Sequence, residues 1–284
     1  MTAPTDRRPL RSNGHVAHSS LQGLIAADRF TDGTPQMVTA PHPVDLLNAP
    51  DGKRDRQLLT GAGFTLLDTQ GPWAFGFATR DGYVGWVAAH HLGPAQPRTH
   101  RVAVARAIGL DSRSVKQPGT PVVLPYDSAV QVTEQVDTWA GVRIGTDTKW
   151  FRANNLAPLP HPDSDPVTVA ERLLGTPYLW GGNSALGIDC SGLVQTALHA
   201  CGIDCPGDSD LQEKSLGQTL PPGTPATRGD LFFWKGHVAM AVDADTLIHA
   251  NAWTMTVAYE PIATALTRID AQGDGPLTRH ARLS

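Results

Sequence analysis

An α+β fold, strand-rich in its first half and helix-and-meander in its last third, is what the 284-residue sequence predicts. Two observations carry that reading. The chain holds 28 glycines and 23 prolines, and in its first half they divide the sequence into short apolar runs, the pattern of short strands joined by turns. Helical periods begin after Asp165, and the apolar runs from Gly229 to Ala250 then read as a three-stranded antiparallel meander.

Composition bounds the function. Hydrophobic residues make up 40% and charged residues 18%, which suits a folded globular chain and not a disordered one. A net charge of −4 points to neither a nucleic-acid partner nor an anionic membrane surface. The length allows two or three small domains.

Residues 1–14 are polar and read as a disordered tail. Arg7, Arg8 and Arg11 lie there, but no apolar segment long enough for a signal peptide follows. No run of 18 apolar residues occurs, so no membrane span is expected. A first all-β domain is expected over 15–95. Its strands are read at Gly23–Ala27, Gln36–Thr39, Val44–Leu47, Gly63–Asp68, Trp73–Phe77 and Tyr83–Val87, with Asp81-Gly82 as a hairpin turn. A second domain, 96–159, repeats the style, and Trp139 and Trp150 stand where Trp73 and Trp86 stand in the first. Pro158–Ser164 is a stiff linker into a third domain, 160–284. Asp165 caps a helix with Pro166 in its first turn and Val169, Leu173 and Leu174 as its inner face.

The chemistry centres on Cys190. From there Leu193, Val194, Ala197, Leu198 and Cys201 recur at three- and four-residue steps and Gly202 supplies a stop, so Cys190 opens an amphipathic helix. Free N–H groups and the positive dipole end favour a thiolate at that place. His237 and His249 fall on neighbouring strands of the meander. His237 is placed to take the thiol proton, and His249 to hold the other nitrogen of the His237 ring, the nucleophile–base–orienter logic of acyl transfer. Each residue alone reads more readily as a core cysteine or a structural histidine, and it is the joint pattern that points to catalysis. Metal binding is disfavoured, because no two candidate ligands sit at finger-like or helical spacing. With an odd count of three cysteines, a disulfide framework is not expected; Cys201 reads as a buried helix residue and Cys205 as a loop thiol.

The segments Tyr178-x-Trp180-Gly-Gly, Asp189-Cys190-Ser191-Gly192, Gly229-Asp-Leu, Gly236-His237-Val and Ile248-His249-Ala together resemble the NlpC-type (NlpC/p60) cysteine peptidases of bacterial cell-wall peptides. The resemblance implies a papain-like α+β catalytic domain with Cys190 as nucleophile, His237 as base and His249 as third polar residue. It also implies substrate contacts at Tyr178, Asp189, Ser191, Asp208 and Ser209. For Asp189 and Asp208 helix capping is the competing role; a core aromatic is the competing role for Tyr178 and the favoured one for Trp180. Gly82-Tyr-Val-Gly-Trp-Val resembles a bacterial SH3-like barrel of the kind that precedes dipeptidyl-peptidases of this family, with Tyr83 as a further substrate contact. The second β domain reads as a more divergent SH3-like barrel. Relatives carry an acidic residue suited to a free substrate amine where this chain has Gly61-Ala62, unless Asp45, Asp68 or Asp81 takes that role.

The expected activity is cleavage of the γ-D-Glu–diamino acid bond (meso-diaminopimelate or L-Lys) of free murein peptides, in cytoplasmic cell-wall recycling, with no metal or cofactor. A secreted or periplasmic hydrolase of intact wall, an acyltransferase or amidase of the same superfamily, and a non-catalytic wall binder stay open as alternatives.

Overall fold

Residues 6–283 are described by the computed structural model, which separates into one unit ending at Pro160 and another starting at His161. The first unit is all-β apart from short 3-10 turns. Seven strands form its largest sheet, in the order 54–58, 44–47, 84–88, 73–78, 63–70, 34–38, 92–94. Alternation decides its two faces. Val44 and Leu46 enter a core with Val38, Phe64 and Val87, while Phe75, Phe77, Val84 and Trp86 pack on the opposite side.

That second apolar side corrects the expected tail. Residues 6–14 are fastened to the sheet, whereas residues 1–5 lie outside the described residues. The Val84 N–H donates to the Arg8 carbonyl at 2.8 Å, Arg7 pairs with Asp55 at 2.6 Å, and the Arg11 guanidinium lies 4.2 Å over the Phe77 ring. The polar stretch covers apolar surface with its arginines, which composition alone does not reveal. Gly23–Ala27 likewise forms no strand; a turn there leads into Arg29–Thr31, which pairs in parallel with Val16–His18. Arg54–Leu58 is a strand that the sequence analysis missed. Its inward position Arg56 is buried, with its guanidinium 5.6 Å from the Tyr83 ring centre, so a charged residue stands where an apolar one would have marked the strand.

The rest of this unit builds a separate core from Val102, Ala107, Leu124, Val142 and Phe151. One device occurs in both halves. Trp73 opens a strand and pairs with Ala88, two residues beyond Trp86; Trp139 opens a strand and pairs with Arg152, two residues beyond Trp150. Each hairpin runs into a 3-10 turn, Ala89–His91 or Ala153–Asn155, and then a short strand starting at Leu92 or Leu156.

The second unit starts with α1 (Pro166–Glu171), whose cap Asp165 accepts from the Val167 and Thr168 N–H groups. Its inner face is Val167, Val169 and Ala170, followed by buried Leu173. Leu174 is exposed and not part of that face, because the helix closes at Arg172 and turns the chain outward. Next come α2 (Cys190–Ala200) and α3 (Ser209–Ser215). The sheet comprises β1 (Gln218–Thr219), β2 (Leu231–Trp234), β3 (His237–Ala241), β4 (Thr246–Asn251), β5 (Thr256–Pro261) and β6 (Arg279–Arg282), in the order β1-β6-β2-β3-β4-β5. The β2–β3–β4 meander is antiparallel throughout, and α4 (Ile262–Ile269) follows β5 directly. Helix α2 packs on β3 and β4.

Two glycines allow the loop before α2 to lie against its first turn. A Cβ at Gly192 would sit 2.4 Å from the Gly182 carbonyl oxygen, and one at Gly182 would sit 2.5 Å from the Gly187 carbonyl oxygen. Backbone occupies the space on both sides, so neither site has room for a methyl group. Gly192→Ala is expected to destabilise the protein by about 1–3 kcal/mol, read as a lower thermal midpoint by circular dichroism. An unchanged midpoint would mean that the loop retreats without cost.

Candidate active site

Cys190 is the first residue of α2, and Asp189 is its cap. One Asp189 oxygen accepts from the Gly192 N–H at 2.6 Å and from the Ser191 hydroxyl at 2.9 Å; the other accepts from the Gly181 N–H at 2.9 Å. Both oxygens thus tie the Trp-Gly-Gly loop to the helix start. Asp189 and Ser191, expected to face substrate, are turned to one another, and Ser191 is buried. The reason is local: a carboxylate at this place satisfies helix N–H groups that have no intrahelical partner.

The thiol lies against the strand that carries the first histidine. Cys190 Sγ is 4.0 Å from the Gly236 carbonyl oxygen and accepts from the Val238 N–H, so it contacts the backbone on either side of His237. The two-residue turn Lys235-Gly236 places His237 at the start of β3, opposite Trp234. Across the sheet, His237 Nε2 and His249 Nδ1 are 2.8 Å apart. His249 is fully buried in β4. Nδ1 is the His237 nitrogen that His249 does not engage. The structure therefore sets the Cys190 sulfur against the backbone that flanks His237, and the His237 ring against His249.

Electrostatics differ from the expected ready-made thiolate. Burial, and then the neighbouring Asp189 charge, push the Cys190 thiol up to about 12, against the smaller opposing effect of the N–H groups of Val238, Ser191 and Cys190. Burial pulls His237 down to about 3, helped by His249 and Arg268 and opposed by Glu260. Desolvation holds each group on its own neutral at pH 7, the thiol against the N–H groups around it and the imidazole against Glu260. The arrangement fits a thiol and a neutral imidazole that exchange a proton when the reaction starts.

Two residues here were missed from the sequence. His249 Nε2 lies 3.0 Å from a Glu260 carboxylate oxygen, in a bent approach that leaves Nε2 without a well-aligned hydrogen bond. Arg268 grips Glu260 with two bonds, at 2.8 and 2.7 Å. That grip, more than the adjacent His249, holds the Glu260 carboxyl down at about 2. Glu260 ends a hairpin and Arg268 lies in α4, both beyond the meander at which the sequence analysis stopped.

The other expected contacts fall as follows. Tyr178 is half-buried near Cys190: burial, with Cys190 and Asp189 nearby, pushes its phenol well above the usual range, so it stays protonated and able to donate. Trp180 is 71% exposed, which corrects the expected core aromatic. Asp208 precedes α3 at φ 63° and ψ 139°, makes no side-chain cap bond, and sits in backbone territory that costs a non-glycine residue about 1–3 kcal/mol. Ser209 is buried. Gln212, fully buried, donates to the carbonyls of Ser191 and Pro206 and so fastens α3 to the start of α2.

Tyr83 is not a surface contact. It is 5% exposed and belongs to the core of the first barrel. Asp45 pairs with Arg54 and Gln57, Asp68 with Asn13 and Arg29, and Asp81 accepts from the Tyr83 N–H. All three cysteines are free thiols; Cys201 is only half-buried at the helix end, while Cys205 is buried beneath it. Among the described residues no cluster of three or more His, Cys, Asp or Glu could hold a metal ion, and no helix is long and apolar enough to cross a membrane.

A cysteine at a helix start, packed on an antiparallel sheet that supplies the histidines, defines a cysteine peptidase of papain-like build. Residues 175–269 match the NlpC/P60 family, and residues 46–92 match the bacterial dipeptidyl-peptidase SH3 domain. The chain carries an NlpC/P60 domain preceded by a bacterial SH3 domain. It is 29% identical over 244 residues to γ-D-glutamyl-L-lysine dipeptidyl-peptidase of Bacillus cereus, covering 75% of this chain and 72% of that protein. A protein of the same name from Bacillus subtilis is 25% identical over 214 residues, covering 68% and 71%. An NlpC/P60 family protein from Bacillus cereus has the same fold, with a TM-score of 0.72 at 21% identity over 88% of this chain and 99% of that one.

Because the thiol and imidazole are both held neutral, alkylation of Cys190 by iodoacetamide is expected to be slow at pH 6–7 and to climb through the alkaline range (on the order of tenfold per pH unit). Rapid alkylation at pH 6, read by mass spectrometry, would instead reveal a standing thiolate–imidazolium pair.

Proposed function

We propose that this protein hydrolyses the γ-D-glutamyl–diamino acid bond of murein peptides, with Cys190 as nucleophile, His237 as base and His249 as its orienter. The observation that carries the reading is the 2.8 Å contact of His237 Nε2 with His249 Nδ1, beside a thiol lodged against Gly236 and Val238. His237 Nδ1 takes the Cys190 proton as sulfur attacks the γ-carbonyl carbon of D-Glu. The resulting oxyanion is met by the Cys190 N–H and the Tyr178 hydroxyl. Collapse expels the diamino-acid amine, protonated by His237, and leaves a thioester. Water, deprotonated by His237, then releases the glutamyl product and restores the thiol.

Substrate size and compartment are proposed from the extent of the similarity. The matches to the two dipeptidyl-peptidases cover 75% and 68% of this chain, far more than the catalytic domain alone, whereas the peptidoglycan endopeptidase RipB of Mycobacterium tuberculosis matches 32% of it, at 31% identity. That favours small free peptides, L-Ala-γ-D-Glu-diamino acid, over intact wall, and a place in peptide recycling in the cytoplasm. Strain at Asp208, with Ser209 behind it, supports Asp208 as a substrate contact. Gly61-Ala62 offers no carboxylate for a substrate amine, and Asp45, Asp68 and Asp81 are engaged within the barrel, so a strict need for a free amine is not part of the proposal.

Cys190→Ala is expected to abolish cleavage of L-Ala-γ-D-Glu-diaminopimelate, measured by mass spectrometry, with the thermal midpoint nearly unchanged; retained cleavage would sink the assignment. Tyr178→Phe is expected to lower kcat by about 10- to 100-fold with little change in KM. Digestion of purified sacculi but not of the tripeptide would transfer the reading to a wall hydrolase.

A further inference from the structure

The His237–His249 contact has an ambiguity of direction. Two neutral imidazoles sharing one proton can be arranged in either of two ways. In one, His237 Nε2–H donates to His249 Nδ1 and the His237 Nδ1 lone pair faces the thiol. In the other, His249 Nδ1–H donates to His237 Nε2, the proton of His237 sits on Nδ1, and the ring cannot accept from sulfur. Only the first is a base. Nothing in a pair of histidines selects between them.

Glu260 does. His249 and Glu260 are diagonal neighbours on β4 and β5, since His249 pairs with Ala258 and Leu247 with Glu260. The carboxylate oxygen 3.0 Å from His249 Nε2, though met at a bent angle, can only accept a proton, and its charge favours the tautomer protonated at Nε2 and bare at Nδ1. His249 Nδ1 must then accept from His237 Nε2–H, which leaves His237 Nδ1 with its lone pair. Glu260 has no freedom to leave. Both its oxygens are held by Arg268, itself mostly buried on α4 beside the Trp253 ring, 5.8 Å away.

We propose that Glu260 is a positioning residue that fixes the tautomers of both His249 and His237, with Arg268 as the clamp that holds its carboxylate in place. This rests on the reading of His237 as the base. It extends the array by two residues, through a carboxylate that touches neither substrate nor sulfur. The same carboxylate offsets the positive charge that His237 acquires when it takes the thiol proton. An array ending at His249 would leave that charge against the Arg268 guanidinium.

The test starts with the unmodified protein. Long-range nitrogen–proton NMR of ring-15N-histidine-labelled protein is expected to find His249 protonated at Nε2 and bare at Nδ1, and His237 protonated at Nε2. A wild-type His249 that carries its proton on Nδ1 overturns the proposal, whatever any variant does. Glu260→Gln is expected to give a mixture of the two tautomer directions and to lower kcat on the tripeptide by about 100-fold, with KM unchanged; amide-for-carboxylate swaps behind a catalytic histidine cost up to about 10⁴-fold. Glu260→Asp should restore the wild-type tautomers and part of kcat. A purely structural Glu260 would lower the thermal midpoint yet leave the tautomers as in wild type, and that result would also overturn the proposal. The NMR readout needs no substrate, so failure to cleave murein peptides would refute the functional reading while leaving this test to stand or fall on the spectrum.

Discussion

The Asp189 carboxylate is the interaction on which the rest of the site depends. It gathers the Gly181 N–H, the Gly192 N–H and the Ser191 hydroxyl, and so fixes where α2 starts and how the preceding loop meets it. The Cys190 backbone lies between those anchors. Remove the cap and the first turn of the helix loses the partner for its N–H groups, and with it the geometry that sets sulfur against β3. The anchor has an electrostatic drawback. Its charge sits beside the nucleophile and opposes ionisation of the thiol, adding to the effect of burial. A site built this way depends on its base more than on a pre-ionised sulfur.

That demand explains why the supporting structure is concentrated behind His237 rather than around the cysteine. The histidine stands at the mouth of a two-residue turn, and its partner His249 is sealed in the next strand. Beyond His249 lie a carboxylate and a guanidinium, each mostly buried and each satisfied by the other. Burial of such a pair is tolerable because its two-pronged geometry meets both charges at once. On the other flank, Gln212 joins two carbonyls from different segments and keeps α3 in register with α2.

Much of this was legible in the sequence where local rules apply. The helix from Cys190, its stop at Gly202, the Asp165 cap and the order of strands β2 to β4 follow from periodicity, capping chemistry and turn residues. What escaped depends on contacts between distant segments. Arg54–Leu58 was hidden because a buried arginine occupies a core position. Residues 6–14 were read as loose because their partners Asp55, Phe77 and Val84 lie far along the chain. Glu260 could be connected with His249 only once the β4–β5 pairing was known, and no spacing motif encodes it. Tyr83 shows the opposite failure: a position inferred from resemblance turned out to be core. The paired tryptophans, by contrast, were visible as a repeat, and the structure adds the shared hairpin, 3-10 turn and leucine that make them one building unit used twice.

The sealed, uncharged sulfur also bears on the chemical hardiness of the molecule. Peroxides and disulfides react with the sulfur anion, so a thiol held protonated within the fold offers them little to attack. Cys190 is sheltered by the same desolvation that makes it reliant on His237. Cys190 thus rests protonated, and its reactivity is tied to the histidine pair behind it.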